Sequence, residues 1–148
     1  MANFSNYYES GILNYLFRSN TNNFVKPLNL SVALCTNIPV KTQTGATIPE
    51  LPNANGYARA NLGAPANSIF SEINTSNPAS SGNIQNSNVI SFPAATADQG
   101  MVSGVAICDS GVYGAGQVIV YAALATPRDI KSGDVYNFNA STLNLYLG

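Results

Sequence analysis

The chain of 148 residues has no histidine, no tryptophan, two cysteines, and six lysines and arginines against seven acids. Lack of histidine removes the commonest general base and the commonest zinc ligand together, so no catalytic residue, metal site or cofactor is expected. Cys35 and Cys108 are too few and too far apart for a disulfide scaffold or a zinc site, and read as buried, reduced thiols. Charged residues make up 9% of the chain, where a soluble domain usually has ~25%. The six basic residues are scattered at Arg18, Lys26, Lys41, Arg59, Arg128 and Lys131. They cannot form the stripe that neutralises many phosphates, which excludes nucleic acid as a partner. The longest apolar run, residues 118–125, is too short to span a membrane. Residues 1–9 lack a basic segment followed by an apolar one, so neither a membrane partner nor an export signal is expected.

Asparagine takes the place of charge, with twenty residues, and the net charge is only −1. Near-zero charge favours association, so much of the surface is expected to meet other protein. Matches to N-x-S/T at Asn3, Asn29, Asn74 and Asn139 arise by chance in such a composition and carry no weight. The length suits one domain covering residues 1–148.

One segment has helical period. Large residues recur at Phe4, Tyr8, Ile12 and Leu16, with Leu13 and Phe17 beside them, which predicts a helix over about 3–18 capped by Asn3 or Ser5. From residue 28 onward the period becomes two. Leu28, Leu30, Val32 and Leu34 alternate with smaller residues, and further short strands are expected over 57–62, 68–74, 89–92, 101–108, 117–124, 135–138 and 143–147. Residues 37–56 contain Pro39, Pro49 and Pro52 without sustained period and read as one long loop. The predicted fold is all-β: an antiparallel β-sandwich or jelly roll over about 28–148, with one short N-terminal helix. Its expected core is Leu30, Val32, Leu34, Val105, Ile107, Val118, Val120, Leu143 and Leu145.

Few groups suggest chemistry. The glycines of 111–116 do not match a dinucleotide fingerprint and precede a strand, so a hairpin turn is the better reading. Asp98, Asp109, Asp129 and Asp134 lie in presumed loops with no calcium-loop pattern, which favours turns or rim contacts. The tyrosines could stack on sugars, but most read as strand residues.

Six phrases, in order, carry a resemblance: Ala2-Asn3-Phe4-Ser5-Asn6-Tyr7 with Leu13-Asn14-Tyr15-Leu16-Phe17-Arg18; Leu30-Ser31-Val32-Ala33-Leu34-Cys35-Thr36; Gly56-Tyr57-Ala58-Arg59; Ile90-Ser91-Phe92-Pro93-Ala94-Ala95-Thr96; Val105-Ala106-Ile107-Cys108-Asp109; and Tyr121-Ala122-Ala123-Leu124-Ala125-Thr126-Pro127-Arg128 leading to Ser132-Gly133-Asp134. Together they resemble a family of small tailed-bacteriophage virion proteins, whose members serve as head decoration or tail-fibre proteins. The resemblance implies a β-rich virion component assembled in the bacterial cytoplasm. The favoured expectation is a capsid decoration or cement protein on the capsid exterior, a homotrimer bridging subunits of the major capsid protein. The alternative is a tail-fibre or receptor-binding knob facing a host glycan. Phe4, Tyr7, Tyr8 and Tyr15 on the helix, and Ile38, Val40, Ile48 and Leu51 in the loop, are the candidate interface residues, because surplus aromatic and apolar side chains anchor interfaces.

Overall fold

The computed structural model describes residues 2–19, 23–72 and 82–146. Where two buried faces of a sheet differ in side-chain size, alternation sets the strand, and the clearest case is β2, Leu30–Cys35, all six residues of which are buried. Its large residues Leu30, Val32 and Leu34 enter the main apolar core. Ala33 and Cys35 point the other way into a second cluster with Ile48, Ala106, Cys108 and Val118.

The remaining elements, in chain order, are β1 Asn3–Phe4, α1 Asn6–Phe17, β3 Ala60–Gly63, β4 Phe70–Glu72, β5 Asn83–Asn86, β6 Ile90–Ser91, β7 Gly100–Cys108, β8 Val118–Ile130, β9 Asn137–Phe138 and β10 Asn144–Tyr146. They form a five-stranded sheet in the order β1-β8-β7-β2-β3, a three-stranded sheet β10-β5-β4 and a pair β6-β9. Every pairing is antiparallel. The main core lies between the large sheet and the two small ones, joining Val105, Ile107 and Val120 to Ile90, Phe92 and Phe138, with Phe70, Leu143 and Leu145 packed against it. This is the expected all-β sandwich. Val118 departs from expectation by facing the second cluster.

Several boundaries differ from the sequence reading. Asn3 and Phe4 do not begin the helix but pair with Tyr121 and Val120 of β8. The helix starts at Asn6, capped by Ser5, whose Oγ accepts from Tyr8 N and donates to the Val118 carbonyl. That second bond fixes the helix start to β8. Leu28 lies outside β2 and is 89% exposed. β5 was not anticipated, because Asn-Ile-Gln-Asn carries little β propensity. Residues 73–74 of the strand expected over 68–74 lie outside the described residues. β8 runs on past residue 124 because its register shifts: Gly104 pairs with Ala123, but Val102 with Arg128. Residues 124–127 thus bulge opposite Ser103, which accommodates Pro127 within a strand.

The stretch expected as a free loop, 37–56, is instead a cover for the second face of the large sheet. Its backbone hydrogen-bonds along β2, Thr36 N to Pro49 O (2.8 Å) and Leu51 N to Leu34 O (2.9 Å). A side chain at Gly104 would meet the carbonyl of Asn37 at 2.7 Å, and one at Gly45 would meet that of Ala115 at 2.1 Å. Backbone lies directly on sheet, which is why this face carries Ala, Cys and Gly.

At the opposite side, Asn86 is fully buried. Its Nδ2 donates to the carbonyls of Asn88 and Asn139, both at 2.8 Å, and its Oδ1 accepts from Thr142 N (3.1 Å) and Leu143 N (2.8 Å). One amide therefore holds β5 to the turn before β10. Asn86→Ala leaves these backbone groups unpaired and is expected to destabilise the fold by about 2–4 kcal/mol, read as a lower urea midpoint at unchanged slope.

Candidate functional site

The centre of the structure's polar chemistry is Arg59, in the residues leading into β3. It is 5% exposed. A guanidinium has five N–H donors, and here all are used. Nε and Nη2 grip the two oxygens of Glu50 at 2.9 and 2.7 Å. Nη2 also reaches the Gly45 carbonyl at 2.8 Å, and Nη1 the carbonyls of Ser110 and Ala115, both at 2.9 Å. Tyr57 completes the set, donating its hydroxyl to Glu50 Oε1 at 2.8 Å and accepting from Leu34 N at 3.1 Å. Burial alone would lower the Arg59 pKa, but its bonds to Glu50 outweigh that and hold it charged. Burial, reinforced by Glu50, pushes the Tyr57 hydroxyl well up. The network is saturated. It ties the covering loop to the β7–β8 hairpin and leaves no group free to act on a substrate.

The four aspartates are likewise engaged in local structure. Asp109 accepts from Gln117 N (2.7 Å) and from the Tyr8 hydroxyl (3.2 Å). Burial first, then Asp109, raises the Tyr8 pKa. Asp98 accepts from Ser132 N (2.9 Å), Asp134 from Lys131 N (2.9 Å), and Lys131 pairs with Asp98 and Asp129. Among the described residues no group of three or more His, Cys, Asp or Glu could hold a metal ion. The glycine-rich 111–116 is the turn of the β7–β8 hairpin.

What remains for function is surface. An apolar groove of about 430 Å³ opens between the large sheet and the three-stranded sheet, lined chiefly by Phe4, Tyr8, Phe24, Phe70, Ile84 and Leu145. Tyr7, Tyr8 and Phe24 form a ring cluster beside it, with centroids 5.3–6.3 Å apart. Beyond it, α1 exposes Leu13, Tyr15, Leu16 and Phe17.

The expected interface residues therefore divide. Tyr7, Tyr15, Ile38 and Val40 are exposed, at 51–61%. Phe4 is partly buried against the main core. Tyr8, Ile48 and Leu51 are core residues at 4%, 8% and 0% exposure, so those three assignments are corrected. Tyr8 is drawn in by Asp109 and Phe24, Ile48 by the small residues of the second cluster, and Leu51 by its backbone pairing with β2. Sequence reading did not single out Leu13, Leu16 and Phe17 as exposed surface, because their spacing predicts a helix without saying which side meets the sheet. It also missed Arg59, a lone basic residue in an apolar stretch being the available signal.

Two outcomes test this site. Arg59→Lys replaces five fixed donors by three and is expected to cost about 3–5 kcal/mol in chemical denaturation, as for breaking a buried ion pair. The Cys35 and Cys108 thiols are buried and free, and burial pushes each from 9.0 up to about 12. Cys35 lies opposite Gly104 and Cys108 opposite Ser31, a separation of four residues, or ~13 Å, along the strands, too far for a disulfide. The native protein should resist alkylation at mildly alkaline pH and react at both thiols once unfolded. Because the folded pKa exceeds the unfolded one, the thiols' contribution to stability is complete below pH 9 and declines as pH rises toward 12. A flat stability profile over that range would contradict this.

No curated protein matches the chain. The family described as Podophage GP4 fiber I protein gp80 matches residues 3–146. That span takes in the Arg59 network, the apolar groove and the exposed helix alike, and the chain belongs to this family of phage virion structural proteins.

Proposed function

We propose that the protein is a non-catalytic structural component of a phage tail fibre, joined to its neighbours through apolar protein–protein contacts. The family match over residues 3–146 carries this reading, since its description is of a fibre protein. It favours the fibre over the capsid-decoration role, with its major capsid protein partner, that composition and resemblance had put first. The saturated Arg59 network supports a structural role, because its polar groups serve the protein's own rigidity.

The surface also bears on what the fibre module touches. Sugar recognition needs polar groups convergent on hydroxyls, with a few aromatic platforms. Here the groove beside Phe4 and Tyr8 is lined almost wholly by carbon, and five of the eight tyrosines are committed: Tyr8 and Tyr57 to hydrogen bonds with Asp109 and Glu50, Tyr113 to Tyr57, Tyr136 to Phe92 and Phe138, and Tyr121 to the second cluster. Apolar area suits protein, at ~25 cal/mol for each Å² removed from water. The proposed role is thus assembly of the fibre.

Antibody labelling of intact virions, followed by electron microscopy, tests the placement. Label confined to tail appendages is the expected result. Label distributed over the head would overturn the fibre role in favour of decoration.

A further inference from the structure

The groove between the sheets is walled by paired strands. On the large sheet Phe4 stands opposite Val120, and Val120 opposite Ile107, with Leu30 on the next strand. Strands lie ~4.8 Å apart, so this row of side chains runs about 14 Å across the sheet. On the facing wall Leu145, Ile84 and Glu72 stand opposite one another across β10, β5 and β4 and share one face. At about 430 Å³ the groove has the size of a small-molecule pocket, ~300–1,000 Å³. Lys26 is the one charged residue among the described residues that line it.

We propose that this groove binds a single-chain lipid with an uncharged, hydroxylated head, of which a monoacylglycerol is the simplest. The carbon lining selects the chain. An extended peptide would bring an N–H and a C=O with almost every residue, and walls of carbon would leave them buried and unpaired. A hydrocarbon chain brings none. The open surface of α1 stays suited to protein, because a partner there need not bury its backbone.

The residues beside the groove select the head. A second depression shares Lys26, Phe70 and Ile84 with the groove and adds Asn67 and Glu72. Lys26 and Glu72 are exposed, and among the described residues neither takes part in an ion pair. A carboxylate head would gain at Lys26 and lose at Glu72, and an ammonium head the reverse. A hydroxyl can accept from the lysine and donate to the glutamate. Charge thus favours a neutral head that carries hydroxyls. Such a site fits a fibre or a capsid protein alike, so its failure would leave the fibre placement untouched.

Calorimetric titration of the full chain with 1-monooctanoyl-, 1-monodecanoyl- and 1-monododecanoylglycerol, each kept below micelle formation, tests the site. The expected result is saturable binding of one lipid per chain that tightens about fourfold for each added methylene. Dodecanoate and dodecyltrimethylammonium should bind more weakly than the glycerol ester of the same chain. Glu72→Gln should strengthen dodecanoate binding about two- to fivefold. Ile84→Trp, which fills the groove from a position 37% exposed, should abolish binding at an unchanged thermal midpoint. Should that variant fail to fold, the chain-length series and Glu72→Gln still decide. No saturable binding, affinity indifferent to chain length, or equal affinity for the three heads would each overturn the proposal. So would binding to phosphatidylethanolamine vesicles with none to the dispersed lipids, which would point to a membrane surface instead.

Discussion

Arg59 is the contact on which the rest of the architecture depends. Two segments distant in sequence, the covering loop at Gly45 and Glu50 and the hairpin turn at 110–115, present carbonyl or carboxylate oxygens to one point. The loop meets β2 there through one bridge, Glu50 to Cys35, rather than through a ladder. Without the guanidinium those oxygens would be buried and unpaired, a cost that the apolar contacts of Ile48 and Leu51 could not offset. The charge is tolerable because Glu50 meets it with two bonds and neutral carbonyls take the remaining donors. The covering loop, the hairpin and the second face of the sheet are thereby one cooperative unit.

The interior and exterior of this protein depart from the usual arrangement in opposite ways. Inside, an ion pair and a fully bonded asparagine hold turns that lack repetitive structure. Outside, neutral amides and apolar side chains stand where other domains place lysine and glutamate. A surface of this kind gains less from water and loses less on being covered. It suits a part whose working state is inside an assembly.

Much of the sandwich was legible in the sequence because opposite faces of its central strands differ in size. Leu30, Val32 and Leu34 alternate with Ser31, Ala33 and Cys35, and the structure puts the two sets in different environments. The covering loop was not legible, since its attachment is by backbone bonds and by one long side chain, neither of which leaves a period. Helix burial was misread for a different reason. Apolar residues lie almost all round α1, so periodicity could place a helix there but could not say which side meets the sheet, or where along its length the contact ends. Tyr8 and Tyr15 share an azimuth and have opposite fates, a distinction set by where the body stops.

Among the described residues β1 meets β8 only at Val120 and Tyr121, so the far part of β8 forms an outer border of the large sheet as described. A border of unpaired amides invites another strand to add on. The bulge at 124–127 bends that border, and Pro127 within it has no N–H to donate. An incoming chain would find an interrupted ladder. For a protein with scarcely any charge to keep its copies apart, resistance to indefinite edge-to-edge stacking thus resides in backbone geometry.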